Sequence, residues 1–265
     1  MTNRLTALWQ YRAFITASVR REFQVKYQNS MLGALWTVLN PLAMIVIYTV
    51  IFSQVMKAKL PETDSIYAYS VYLCAGIIAW GLFSEVIGRC QTLFIDNANV
   101  LKKLSFPRLT LPIIVVLSAL LNFAIITGLF LAFLVLSGQW IGWSILLAIP
   151  VLLIQLLFSF GLGMSLGILN VFFRDIGYLF NIVIQFWFWL TPIVYPATIL
   201  PDFIKPLILT WNPMAPIISA YQTIFVYGKQ PDWHSLLIPS LVGLSMLIIG
   251  FYLYQKHAHE IVDEL

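Results

Sequence analysis

Residues 109–173 read LTLPIIVVLSALLNFAIITGLFLAFLVLSGQWIGWSILLAIPVLLIQLLFSFGLGMSLGILNVFF, 65 consecutive positions without Asp, Glu, Lys or Arg. About 20 apolar residues cross a bilayer core as a helix. This run is therefore too long for one crossing and is the length of two crossings joined by a turn. The turn falls at Ser137-Gly138-Gln139, with Trp140 and Trp143 beside it. Tryptophan favours the membrane–water boundary. The stretch predicts spans over about 111–136 and 144–170.

Outward from this centre the charge gaps repeat. Tyr27–Met56, Ile176–Pro201, Pro206–Gly228 and Trp233–Gln255 hold 30, 26, 23 and 23 uncharged residues. They predict spans over about 30–56, 178–195 and 236–254, and apolar sequence over 69–88 supplies another. Asn40-Pro41 is expected to bend the first span. Across 265 residues, 60% are hydrophobic and 10% charged, with a mean hydropathy of +0.88. Soluble domains carry about 25% charge. A soluble enzyme, a disordered tail and a nucleic-acid binder are excluded, and an all-α membrane protein of six transmembrane helices is expected. Cys74 and Cys90 lie sixteen residues apart near opposite ends of one span. That separation is roughly 24 Å along a helix, beyond disulfide reach. The polar, basic N-terminal stretch of about 30 residues predicts no cleavable signal peptide.

Residues 4–28 are too charged to span but have helical periodicity. Leu5, Leu8, Trp9, Ile15, Val19, Phe23 and Tyr27 share a face interrupted by Arg12, and Gln10, Ser18, Arg21, Gln24 and Gln28 lie opposite. This pattern predicts an amphipathic helix in the membrane interface. Between the fifth and sixth spans, residues 196–228 stay apolar but include Pro196, Pro201, Pro206, Pro213 and Pro216. Proline at this density prevents one continuous helix. Broken backbone at membrane depth must pack on protein, so short re-entrant helices are expected; the alternative is a seventh, kinked span. With six spans, eleven Lys and Arg face one side and four the other, which places both termini in the cytoplasm.

Several chemistries lack their residues. Gly228-Lys229 is the sole Gly-Lys pair, followed by Gln230, with Thr223 where a phosphate-binding loop needs its first glycine. His257 and His259, beside Glu260, form a tail pair rather than a metal-binding spacing. Glu85 is the one acid expected at membrane depth, and Arg89 at i,i+4 can pair with it. No relay of acids for a proton or sodium pump is visible, so transport energy would come from another subunit. Forty residues are Phe, Tyr or Trp. Sugar rings stack on aromatic faces, so an aromatic passage suits a glycan. Ordinary packing explains many of these rings equally well.

Five ordered stretches carry a family resemblance: Arg21-Glu22, Lys26-Tyr27, Ser30, Leu32-Gly33, Trp36 and Pro41-Leu42; Gly76, Trp80, Asn97, Asn99, Leu101 and Phe106-Pro107-Arg108; Phe173-Arg174-Asp175-Ile176; Leu190-Thr191-Pro192-Ile193-Val194-Tyr195-Pro196; and Asn212-Pro213, Tyr221 and Gly228. The sequence resembles the permease subunits of type-two ABC exporters of lipid-linked polysaccharides (O-antigen, capsule and teichoic acid), which reside in the bacterial inner membrane. Gln222 stands where the family often has Arg, and Lys26 where Arg is frequent.

The resemblance implies a homodimer with two ATPase subunits that bind ATP and Mg, and no cofactor on this chain. It assigns cytoplasmic coupling to the connector 89–108 and the Arg174-Asp175 turn, with Asn99, Lys102, Lys103 and Arg108 as contacts. Arg174-Asp175 is equally well read as a structural cap. The outer gate would include Pro192, Tyr195, Pro196, Asn212 and Pro213 within or beside 196–228. Trp36, Tyr48, Trp80, Phe186, Trp187 and Trp189 are candidates for the glycan path. Arg20, Arg21 and Lys26 would attract a lipid pyrophosphate, or simply anchor the helix to anionic membrane lipid. Two rival functions are export of a small lipid or drug, and enzymatic processing of a lipid-linked sugar. The second needs clustered acids or histidines that the chain does not show.

Overall fold

Hydrocarbon offers backbone groups no partners, so an open apolar segment satisfies its N–H and C=O groups by forming helix. The computed structural model describes residues 11–26, 32–55, 65–103 and 110–257, with Leu60, Thr63 and Glu260, and contains no strand among them. The α-helices are α1 (Arg12–Lys26), α2 (Trp36–Thr49), α3 (Ala68–Asp96), α4 (Ala98–Lys103), α5 (Thr110–Leu136), α6 (Ala148–Phe172), α7 (Asp175–Leu190), α8 (Lys205–Thr210), α9 (Met214–Tyr227) and α10 (Leu237–Lys256). Among the described residues, four helical stretches are long and apolar enough to cross a membrane: α3, α5, α6 with its preceding 3₁₀ turn from Gly142, and α10.

Small residues set the packing. Helix α6 lies between α3 and α10 and makes its most extensive contacts with these two. A Cβ on Gly161 would sit 2.7 Å from the Gly243 carbonyl oxygen, and one on Gly243 would sit 2.8 Å from Phe158 Cα. These backbones approach too closely for any side chain, as small-residue seams permit in membrane bundles. Ser165 donates across the same seam to the Met246 carbonyl at 3.0 Å. On the opposite face, Gly163 admits Cys90 of α3, 2.8 Å from where a Cβ would stand.

Helix ends differ from several expected span ends. Helix α3 continues past 88 to Asp96. Arg89 in its extra turns finds Glu22 on another helix, so its charge does not stop the helix. Asn97 does, because its side-chain amide donates to the Leu93 carbonyl at 2.8 Å and competes with the helix ladder. The connector 89–108 is therefore largely helical where described, with 104–109 outside the described residues. Helix α7 ends at Leu190, five residues before the expected span end. Thr191, preceding Pro192, is extended (φ −103°, ψ 133°), as a pre-proline residue prefers. Pro41 lies inside α2, which continues as a π-helical stretch over Val50–Val55. The amphipathic helix is described from Arg12 to Lys26; residues 1–10 and 27–31 lie outside the described residues. Residues 196–228 form separate short elements: a 3₁₀ turn at Ala197–Ile199, then α8 and α9.

Candidate functional site

The sequence TPIVYP after α7 leaves carbonyls without helical partners, and neighbouring side chains take them up. From α3, the Tyr72 hydroxyl lies 3.2 Å from the Pro192 carbonyl and 3.0 Å from that of Tyr195, and the Tyr69 hydroxyl donates to the Val194 carbonyl at 2.7 Å. From α9, the Gln222 amide donates to the Pro192 carbonyl at 3.2 Å. Asn212 completes the knot. Its carbonyl accepts from Trp187 Nε1 at 2.7 Å and from the Met214 N–H at 3.0 Å. Its amide donates to Thr191 Oγ1 at 2.9 Å and lies 3.3 Å from the Leu190 carbonyl. Gly76 lets the knot close, since a Cβ there would lie 3.1 Å from Gln222 Nε2 and 3.2 Å from Ile193 Cγ2.

Below the knot is an aromatic cluster. Trp187 meets Phe83 edge-on at 5.3 Å and Phe158 at 6.2 Å, while Phe83 and Phe158 stack at 5.6 Å. Trp80 packs against Trp187 at 6.4 Å and Phe188 at 5.7 Å. Edge-to-face geometry places positive ring edges on negative faces. The Trp187 indole thus ties this packed core to the polar knot through one hydrogen bond.

A second polar cluster joins α1, α3 and α5. Arg89 pairs with Glu22 of α1 at 2.6 Å and lies 3.9 Å from Glu85. Ser118 donates to the same Glu22 oxygen at 2.6 Å, and Asn122 donates to Glu85 at 2.7 Å. A third cluster joins α3, α6 and α7. Asn170 donates to the Gln91 carbonyl at 3.0 Å and accepts the Gly177 N–H at 2.9 Å. On the surface, Lys205 donates to Asp202 at 2.7 Å and holds that exposed carboxyl below its ordinary pKa.

Comparison with known proteins gives this architecture its setting. Residues 14–226 match the ABC-2 type transporter family. The chain belongs to that family. It is 32% identical over 259 residues to the O-antigen export system permease protein RfbA of Myxococcus xanthus, covering 97% of each chain. It is 30% identical to the protein of the same name from Klebsiella pneumoniae, covering 92% of each. To the polysialic acid transport protein KpsM of Escherichia coli it is 22% identical, covering 91% of this chain and 92% of the relative.

Within this ABC-2 type chain the candidate residues fall into separate groups. Pro192, Tyr195, Asn212 and Pro213 all belong to the knot or flank it, and Pro196 follows it at the start of the 3₁₀ turn Ala197–Ile199. Trp80 is buried and Trp187 half-buried, both in the aromatic cluster, whereas Trp36, Phe186 and Trp189 are exposed. Tyr48 is half-buried beside Phe52. The six path candidates therefore do not form one surface within the single chain. Arg20 and Arg21 are exposed on α1, and Lys26 is its last residue. Asn99 and Lys102 are exposed on α4, which Lys103 ends; Arg108 lies outside the described residues. Arg174 and Asp175 are exposed at the start of α7, where Asp175 complements the helix dipole.

The charged cluster shows what sequence spacing misses. Spacing identifies Glu85 as the Arg89 partner, but the shorter pair joins Arg89 to Glu22, 67 positions away. Tyr69, Tyr72, Ser118 and Asn122 carried no local signal. Gln222 did, as the residue standing where the family often has Arg.

Proposed function

We propose that this chain is the permease subunit of an ATP-driven exporter that moves a lipid-linked polysaccharide across the bacterial inner membrane. The end-to-end similarity to O-antigen export permeases carries this reading. The protein would act as a homodimer with two ATPase subunits; ATP and Mg would bind there, with no cofactor on this chain.

In this reading the chain crosses the membrane six times with both termini in the cytoplasm. Four long helices supply four crossings. Helix α2 with its π-helical extension supplies a fifth. Helix α7, with 16 residues, is about 24 Å long, short of the roughly 30 Å hydrocarbon core. The hydrogen-bonded TPIVYP segment completes its crossing, and its satisfied carbonyls make that tolerable in hydrocarbon. Residues 196–213 then form the outer gate, with α9 as a re-entrant helix.

The exposed rings Trp36, Phe186 and Trp189 line the glycan path at the dimer interface, offering apolar faces without deep polar wells. Trp80 and Trp187 support them from within. Arg20, Arg21 and Lys26 attract the anionic headgroup of the incoming substrate. Helix α4, through Asn99, Lys102 and Lys103, touches the ATPase with the Arg174-Asp175 turn.

Deleting the encoding gene tests the reading. Lipid-linked glycan should accumulate on the cytoplasmic face while surface glycan disappears, and a restored copy should reverse both. Unchanged surface glycan would overturn the assignment.

A further inference from the structure

The charged cluster forms the polar end of a crevice in which the export reading gives a role to Arg21 alone. Ser18, Arg21, Glu22, Val25, Glu85 and Arg89 line a chamber of about 580 Å³. Glu85 also borders a second cavity of about 230 Å³. That cavity is mostly apolar, walled by Met44 and Ile45 of α2, Ile77 and Ile78 of α3, and Phe123 and Ile126 of α5. Asn40, Asn122 and Glu85 are among its few polar groups.

The dimensions match one leaflet of a membrane. Along α3 the apolar cavity reaches from Glu85 to Cys74, eleven residues or about 16 Å of helix. Half of a hydrocarbon core is about 15 Å. A largely apolar cleft with a few polar groups at one end is how proteins hold small amphiphiles.

The charges select the headgroup. Two guanidinium groups, Arg21 and Arg89, and two carboxylates, Glu22 and Glu85, line the same chamber, so their formal charges cancel. A purely anionic group would gain from Arg21 but meet both acids. A zwitterion satisfies both signs, with phosphate toward Arg21 and ammonium toward Glu85 and Glu22.

We propose that the chamber and cleft bind a zwitterionic phospholipid bearing a primary ammonium. Its headgroup lies among Arg21, Glu22, Glu85 and Arg89, and one acyl chain lies between α2, α3 and α5. The lipid fills a seam within one subunit, so the proposal stands whatever glycan is exported.

The test uses the full-length protein in nanodiscs containing phosphatidylethanolamine with a photoreactive diazirine midway along one acyl chain. Crosslinks should concentrate on Met44, Ile45, Ile77, Phe123 and Ile126 in the wild-type chain. Excess unlabelled phosphatidylethanolamine should compete, whereas phosphatidylglycerol and a polyprenyl phosphate should compete weakly. Glu85→Gln should lower crevice labelling about tenfold, as for loss of one hydrogen bond to a charged group. Leu244→Trp on the exposed α10 surface should leave it unchanged. Labelling spread evenly over Leu241, Leu244 and Ile248 as well as the crevice would overturn the site. Equal competition by phosphatidylglycerol or polyprenyl phosphate would overturn the choice of a zwitterionic lipid.

Discussion

Replacing Asn212 by Ala removes four hydrogen-bonding contacts at once. It strands the Trp187 indole N–H and the Met214 backbone N–H where Asn212 is only 9% exposed. Hydrogen bonds within membrane proteins average about 0.6 kcal/mol each, so four contacts suggest roughly 2.4 kcal/mol. Two stranded buried donors at about 1–3 kcal/mol each suggest roughly 2–6 kcal/mol. The first figure lies at the low end of the second, so about 2–4 kcal/mol is expected, or a melting-temperature drop of roughly 5–15 °C for a chain of this size. Trp187→Phe removes one of those donors while leaving Asn212 able to accept from Met214. The double variant should therefore be less destabilised than the sum, by about 0.5–1.7 kcal/mol. The assay is survival of the folded size-exclusion peak after stepwise heating in detergent. A drop below about 2 °C for Asn212→Ala, or strict additivity, would refute the view that this asparagine joins aromatic core to broken backbone.

Gly76→Ala should weaken closure of the knot and lower export, because its new methyl meets Gln222 and Ile193, whereas Gly81→Ala, with nothing within 4 Å, should be tolerated; thermal stability and surface glycan read both. Gly243→Ala should be more harmful than Gly76→Ala, because its Cβ would meet Phe158 backbone atoms, and loss of the folded detergent peak reports it. Arg89→Ala leaves Glu22 and Glu85 without their shared cation; at 39% and 25% side-chain exposure water screens both, so the cost should be about 1–2 kcal/mol, partly relieved by Glu22→Gln in heating assays. Reversing the charge of Lys102 and Lys103 should leave assembly intact but uncouple ATP hydrolysis from export, and unchanged coupling would remove α4 from the ATPase contact.

The long uncharged runs made the main helices legible: helix α5, Thr110–Leu136, falls within the uncharged run 109–173. Helix ends were less legible where polar groups found distant partners. Spacing paired Arg89 with Glu85, yet Glu22 and Ser118 meet at the same point from other helices. Pro192 signalled a break, but an isolated proline cannot tell where the following carbonyls will be satisfied. That depended on Tyr69, Tyr72, Asn212 and Gln222, which belong to three separate parts of the chain. The aromatic run Phe186-Trp187-Phe188-Trp189 was visible as composition only. Helical rotation then divides it, turning Phe186 and Trp189 outward and Trp187 into the core.

The most direct test is to purify the tagged protein in mild detergent from its native membranes and identify stoichiometric partners. The account predicts one P-loop ATPase subunit per permease subunit, in a complex containing two of each. An intact permease dimer that carries no ATPase would contradict it.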